Sequence, residues 1–177
     1  MENSTDVAII VGSKSDMMLI VDTVKTLEEF GLTYSLNIAS AHRSTQYLKQ
    51  CIENAEKSNV KIFIAAAGMS AALPGVIASE TILPVIGIPI DGKNFLSLDS
   101  LFSIVQMPKG VPVATVAVGK AGAVNAALLA VQIMAIGDVS LKEKLKVYKI
   151  KMADAVVKEN LKLQKDGMAK YVDGLKE

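Results

Sequence analysis

The chain contains a single histidine, His42, and Arg43 follows it directly. Imidazole is the side chain whose ordinary pKa lies closest to neutral, so His42 is the candidate for proton transfer. The guanidinium of Arg43 presents a fork of donors that suits a phosphate group. Each residue also has a plain structural interpretation, as a solvated loop histidine and as an arginine that ties a neighbouring loop. The pair is therefore a candidate acid/base and anion-binding site.

A second polar string, Gly-Ser-Lys-Ser-Asp at positions 12–16, follows a short apolar run. Gly12 allows a ligand to approach the backbone, and the hydroxyls of Ser13 and Ser15 can hold phosphate oxygens together with helix N–H groups. The carboxylate of Asp16 is better suited to ribose hydroxyls, which can donate to it. The string is neither a Walker loop nor a dinucleotide fingerprint. The structural alternative is an ordinary helix cap.

A third string, residues 67–75, is small and apolar. It predicts a loop whose free backbone N–H groups and apolar wall could keep water away from a small neutral molecule; the alternative is a tight strand–helix junction. The candidate ligand-binding residues in this loop are Gly68, Met69, Ser70, Ala71, Ala72 and Leu73.

Strands and helices alternate along the first 118 residues. Apolar runs predict strands at 6–11, 32–38, 61–65, 83–88 and 112–118, with a loop-rich section around 99–105. Helices are predicted at 16–30, 45–57 and 71–79; Ser15 or Asp16 caps the first, Gly31 ends it, and its inner face holds Met18, Ile20, Val21, Val24 and Leu27. This alternation predicts an α/β fold with a parallel sheet covered on both faces. Ligands bind beyond the carboxyl ends of such strands, so the three strings should meet at one sheet edge.

Two later helices complete the predicted structure. The helix at 121–136 is apolar nearly all round, which predicts burial on every side in an oligomer core; the alternative is a central helix of a monomer. Residues 140–167 carry apolar side chains at helical spacing, and residues 140–177 contain ten lysines and six acids. Such mixed charge is typical of a solvated face and not of a nucleic-acid arm.

Length and composition predict one domain with its own core. The 177 residues are 51% hydrophobic and 21% charged with a net charge of +1, which gives no support for a nucleic-acid or membrane-surface partner. The lone Cys51 excludes an internal disulfide, offers no metal site and suggests a reducing compartment. The polar amino terminus predicts no secretory signal. The apolar stretches at 62–78 and 121–136 are interrupted or too short for membrane spans.

Five strings in order make a more specific pattern than any one of them. They are GSKSD at 12–16, SAHR at 40–43, AGMSAALPG at 67–75, DSLFSIVQMPKGVPV at 99–113 and GKAGAVNAALLA at 119–130. Together they closely resemble the bacterial-type N5-carboxyaminoimidazole ribonucleotide mutase family of purine biosynthesis. The resemblance covers nearly the whole chain, from about Val7 to the C-terminal helix.

The resemblance implies a flavodoxin-like three-layer sandwich with a C-terminal helical extension. It implies a single mutase domain, with a core at about 6–137 and the extension at about 138–177. We also expect a cytoplasmic homo-octamer with sites at subunit junctions, and neither a metal nor an organic cofactor. A ribonucleotide substrate and CO2 as an enclosed intermediate are the expected small-molecule partners, with no nucleic acid and no membrane.

The implied reaction moves a carboxylate from the exocyclic nitrogen of an aminoimidazole ribonucleotide to ring carbon 4. His42 matches the family's general acid/base, which donates a proton as the nitrogen–carboxylate bond breaks and later removes one from C4. Ribonucleotide-binding positions of the family match Ser13, Asp16 and Arg43, with Ser15 and Ser40 nearby. The 67–75 loop would line the CO2 pocket, and residues 106–108 would close over the base.

Two departures from the family pattern stand out. The loop usually carries a second histidine where this chain has Ala72, and Thr-Pro usually follows the His-Arg pair where this chain has Ser44 and Thr45. The second change is mild, since Thr45 can cap the helix. The first removes a polar group from the expected CO2 pocket. Two alternatives therefore stay open: a carboxylase that takes CO2 directly, and a ribonucleotide-binding protein without activity.

Overall fold

A computed structural model describes residues 5–92 and 95–175 of the chain. Within these residues the strands are β1 (Val7–Val11), β2 (Tyr34–Ile38), β3 (Ile62–Ala67), β4 (Val85–Pro89) and β5 (Ala114–Thr115). The helices are α1 (Met17–Phe30), α2 (Thr45–Lys57), α3 (Leu73–Glu80), α4 (Leu98–Val105), α5 (Gly119–Met134) and α6 (Val139–Asp173). Short 3-10 turns occupy Lys14–Asp16 and Phe95–Ser97.

The strands form one parallel sheet in the order β2-β1-β3-β4-β5. β1 lies inside the sheet, where Ile9 is aligned with Leu36 of β2 and with Ile64 of β3. Every residue of β1, β3 and β4 is buried, as expected of strands covered by helices on both faces. This order is that of flavodoxin-like folds, and the predicted α/β class is confirmed.

Alternation along the strands divides the core into two layers. One face, with Ala8, Ile10, Phe63 and Ala65, belongs to a buried cluster that includes Leu48 and other side chains of α2 and α3. On the opposite layer α1 packs against α5, and α5 also contacts β3 and β4. The result is the expected three-layer sandwich.

The buried face of α1 differs from the predicted one. Ile20 and Leu27 are buried as expected, but Met18 is 81% exposed and Val21 is 41% exposed in this chain. The buried face instead includes Thr23, whose hydroxyl donates to a backbone carbonyl of α5 at 2.9 Å. A tertiary hydrogen bond of this kind lets a polar residue take an inward position that the apolar pattern assigns elsewhere. Gly31 ends the helix with φ of 80°, as predicted.

The apolar helix α5 buries one face in this chain. The buried residues are small and spaced at helical intervals: Gly119, Gly122, Ala123, Ala126, Ala127, Ala130 and Val131. Ala121, Asn125 and Gln132 are exposed. Burial on every side is therefore not achieved within one copy, and the oligomer core stays a prediction.

The predicted last strand is much shorter than expected. Residues 112–118 were expected to form it, but only Ala114–Thr115 pair with β4. Pro112 has no backbone N–H to donate, so pairing with β4 cannot begin at this residue and starts instead at Ala114. The section predicted to be loop-rich contains α4.

The chain divides into two compact units between Met134 and Ala135. In the second unit α6 begins at the Asp138 cap, whose carboxylate accepts from the Leu141 N–H at 3.1 Å. Gly167 interrupts its helical geometry with φ of 73°.

In residues 5–92 and 95–175, no helix has both the length and the apolar character that crossing a bilayer demands.

Candidate functional site

A cavity of about 620 Å³ lies where β1, β2 and β3 end. The sheet order reverses between β1 and β3, and such a switch point is the usual ligand crevice of open α/β sheets. All the predicted site residues line it: Gly12, Ser13, Ser15, Asp16, Ser40, His42, Arg43, Gly68, Met69, Ser70, Ala71, Ala72 and Leu73. Ala67, part of the 67–75 loop expected to line the pocket, and Ala41, which was not predicted, also line the cavity.

The turn after β1 holds a chain of three hydrogen-bonded side chains. The Ser13 and Ser15 hydroxyls are 3.0 Å apart, and the Ser15 hydroxyl donates to Asp16 Oδ1 at 3.0 Å. Ser13 also caps the 3-10 turn by accepting from the Ser15 N–H at 3.3 Å. Of the two predicted cap residues, Asp16 occupies the N-cap position of α1, whereas Ser15 lies within the 3-10 turn that Ser13 caps. Asp16 makes no side-chain capping bond, which leaves its second carboxylate oxygen open to a ligand.

Arg43 joins the turns that follow β1 and β2. Its Nη2 donates to the Gly12 carbonyl at 3.3 Å, and its Nε donates to the Ser40 hydroxyl at 3.5 Å. Because a guanidinium carries five N–H donors, these two bonds leave others for an anion. Arg43 is the only lysine or arginine among the described residues that line the cavity. It therefore supplies both the connection between the turns and the positive charge of the site.

His42 lies exposed at the rim of the cavity. Its imidazole makes no hydrogen bond with any residue in the described part of the chain, so both ring nitrogens are available to a ligand. The nearest residues in sequence, Ala41 and Arg43, also line the cavity. The arrangement thus places beside a cation an imidazole that has no hydrogen-bond partner among the described residues.

The loop after β3 forms an apolar wall with strained backbone. Met69 has φ of 56°, in the left-handed region that non-glycine residues rarely adopt, and its side chain is 74% exposed. The Ala71 N–H donates to the Met69 carbonyl at 2.8 Å, and the Ala72 N–H donates to the Ser70 carbonyl at 2.7 Å. These two amides are therefore not free for a ligand, contrary to the prediction.

The segment at 106–108 does not line the cavity of this chain. Met107 instead lies against Gly75, where an added Cβ would be 3.0 Å from the Met107 methyl carbon. Within one copy, this segment therefore packs beside α3, and the expected closure over a base is not seen.

The chemistry available at the cavity follows from these residues. Hydroxyls, one guanidinium and one carboxylate suit a ligand with a phosphate and sugar hydroxyls, and the apolar wall suits a small neutral group. In residues 5–92 and 95–175 no cluster of three histidine, cysteine or acidic side chains is arranged to hold a metal.

Known proteins resemble this chain over most of its length. A family model described as AIR carboxylase matches residues 6–155. The N5-carboxyaminoimidazole ribonucleotide mutase of Saccharolobus solfataricus is 48% identical over 155 residues, covering 88% of this chain and 97% of the relative. The mutase of Haemophilus influenzae is 42% identical over 157 residues, covering 89% and 96%. A crystal structure of Treponema denticola PurE superposes with a TM-score of 0.82 at 29% identity, covering 89% of this chain and 97% of that one.

Proposed function

Since the chain belongs to the AIR carboxylase family, we propose that it is an isomerase of purine biosynthesis that acts on N5-carboxyaminoimidazole ribonucleotide. Its product would be 4-carboxy-5-aminoimidazole ribonucleotide, formed by moving the carboxylate from nitrogen to ring carbon 4. The main structural support for this proposal is that the His42 imidazole, the Arg43 guanidinium and the apolar 67–73 loop all line one cavity.

Binding of the ribonucleotide is assigned to the first two turns. The free donors of Arg43, the Ser13 hydroxyl and the nearby amides suit the phosphate, whose charge they offset. The open oxygen of Asp16 suits the ribose hydroxyls, because Ser15 already occupies the other oxygen. The volume of about 620 Å³ falls in the range of small-molecule sites.

Proton transfer is assigned to His42. In the first half-step its imidazolium gives a proton to the exocyclic nitrogen, which keeps the electron pair of the breaking N–C bond as CO2 leaves. In the second, C4 attacks CO2 to form the new C–C bond, and the neutral imidazole removes the C4 proton. His42 thus ends as it began, so one group can serve both half-steps without net proton exchange.

The 67–73 loop is proposed to retain CO2 between the half-steps. Ala71 and Leu73 are buried, and the loop offers this small neutral molecule an apolar wall. CO2 escapes by diffusion, so exclusion of solvent is a catalytic requirement. The rim residues His42, Met69 and Ser70 are exposed in a single copy, which supports closure of the site by another copy.

We further propose a cytoplasmic homo-oligomer, most simply the octamer implied by the family resemblance. Large apolar side chains are exposed in one copy, including Ile82 at 100%, Leu96 at 86% and Phe95 at 78%. Exposed apolar side chains that lie together are typical of an interaction surface, and Phe95 and Leu96 are consecutive in the chain. The single-domain organisation, with a core at about 6–137 and an extension at about 138–177, is part of the same proposal.

The proposal is tested by following formation of the C4-carboxylated ribonucleotide by absorbance from two alternative substrates. One reaction contains the N-carboxylated ribonucleotide at low bicarbonate, and the other contains the uncarboxylated ribonucleotide with abundant CO2. We expect product mainly from the first. Efficient product only from the second would identify a direct carboxylase, and product from neither would identify a binding protein. A reaction without protein is the control for product that forms without the enzyme.

A further inference from the structure

The turn that carries His42 is closed by the side chain of Ser44. The Ser44 hydroxyl donates to the Ser40 carbonyl at 3.2 Å and accepts from the Ser40 N–H at 2.9 Å. The Ser44 N–H also donates to the Ser40 carbonyl, at 3.0 Å. One residue therefore satisfies both backbone groups of Ser40, at the start of the turn.

This use of the hydroxyl is unusual for its position. Ser44 is the N-cap residue of α2, where a serine side chain ordinarily accepts from an N–H of the first helical turn. It makes no such bond here. The next hydroxyl, that of Thr45, donates to the Ala41 carbonyl at 3.0 Å, so it does not cap the helix either. Both hydroxyls are committed to the turn and not to the helix.

His42 depends on this turn for its position. Its exposed imidazole has no hydrogen-bond partner within the described residues, so the backbone of residues 40–44 determines where it stands at the cavity rim. Arg43 differs, because it is also held by the Gly12 carbonyl at 3.3 Å. Ser44 itself does not line the cavity. Its hydroxyl can therefore act on the reaction only through the turn.

We propose that Ser44 is the positioning residue for His42, fixing the imidazole at the distance from the bound ribonucleotide that proton transfer requires. This inference rests on the proposed function. A displacement of about 1 Å at a reacting group can reduce a rate about 100-fold, so loss of the hydroxyl acts mainly on kcat. KM changes less, because the second anchor of Arg43 is untouched.

The chain contains a matched control at the other end of the same helix. The Ser58 hydroxyl donates to the Asn54 carbonyl at 3.0 Å, and the Ser58 N–H donates to the same carbonyl at 3.1 Å. Ser44→Ala and Ser58→Ala therefore remove the same kind of bond across four residues, but only the first lies beside His42. Ser44→Thr keeps the hydroxyl and is the rescue variant.

Kinetics of the N-carboxylated ribonucleotide reaction test the proposal first. We expect Ser44→Ala to lower kcat by about tenfold or more with KM within about threefold, since the effect is one of positioning. Ser44→Thr should restore kcat to within about threefold of the unaltered chain, and Ser58→Ala should leave it unchanged. A Ser44→Ala kcat within twofold of the unaltered chain, or an equal loss in Ser58→Ala, would overturn the proposal.

A second readout does not require activity. Because the chain has one histidine, labelling with 13C-histidine gives an imidazole NMR signal that needs no further assignment. We expect this signal to shift or broaden in Ser44→Ala and to superpose on that of the unaltered chain in Ser58→Ala. Superposition in Ser44→Ala would overturn the proposal. If the unaltered chain forms no product at all, the proposed function fails, and the NMR comparison then decides only whether Ser44 holds the His42 imidazole in place.

Discussion

Replacing His42 by asparagine should separate catalysis from folding and from binding. General acid–base catalysis by a positioned group contributes about 10²- to 10⁴-fold, which corresponds to roughly 2.7–5.4 kcal/mol of barrier. His42 is exposed and has no side-chain hydrogen bond within the described residues, so its loss should change the free energy of unfolding by no more than about 0.5 kcal/mol. Arg43 and Asp16 stay in place to hold the ribonucleotide. We therefore expect a large loss of kcat with little change in stability or affinity.

The assay pairs turnover with two controls. Turnover of the N-carboxylated ribonucleotide is followed by absorbance, product affinity by calorimetry, and stability by the thermal midpoint. Gln50→Ala, at an exposed position of α2 outside the cavity, is the matched neutral variant. A His42→Asn kcat within about threefold of the unaltered chain would refute the acid/base role, since the group should supply at least about 100-fold. A collapse of the thermal midpoint would instead refute the claim that the imidazole is structurally free.

Three further predictions concern binding and stability. Arg43→Lys should raise the Kd for the product about tenfold, because a single ammonium cannot both bridge the two turns and grip an anion; an unchanged Kd in calorimetry would contradict this. Gly122→Ala should lower the free energy of unfolding by about 3 kcal/mol, since its Cβ would lie 1.7 Å from the Ala117 carbonyl oxygen, whereas Gly137→Ala, with nothing within 4 Å, should be nearly neutral in the same melt. Thr23→Val should cost about 1–2 kcal/mol in chemical denaturation, because it removes a fully buried 2.9 Å hydrogen bond; equal stability would show that the bond contributes nothing.

Most of the sheet could be predicted because its strands are covered on both faces. Continuous apolar runs such as Val7–Val11 and Ile62–Ala67 are typical of strands covered on both faces, and their burial is complete. The end of α1 at Gly31 could also be predicted, because a helix commonly ends at a glycine with positive φ. These features depend on local sequence alone.

Features that depend on distant partners were missed. Thr23 can be buried because its hydroxyl donates to a backbone carbonyl of α5, which is 100 residues away in the sequence. The shortened β5 depends on pairing with β4 at the sheet edge, which apolar content does not reveal. In both cases the apolar pattern is the same whether the tertiary partner is present or absent.

The residues that line the cavity could be predicted from the sequence, but the hydrogen bonds among them could not. The strings around Gly12, His42 and Gly68 follow neighbouring parallel strands, and parallel strands bring their carboxyl ends to one edge. Which amides stay free could not be read, because the left-handed backbone at Met69 directs two of them into the loop itself. Thr45 was expected to cap α2, but its hydroxyl donates to the Ala41 carbonyl, and Ser44 takes the N-cap position without a side-chain capping bond.

Retention of CO2 in a closed site is tested by following one labelled carbon through the first turnover. The N-carboxylated ribonucleotide, carrying 13C in its carboxylate, is mixed with the protein in an excess of unlabelled bicarbonate, and the product is analysed by mass spectrometry. If CO2 stays in a closed site between the half-steps, nearly all of the product retains the label. Product that carries unlabelled carbon would show that CO2 comes from solution, and would contradict transfer within an enclosed site.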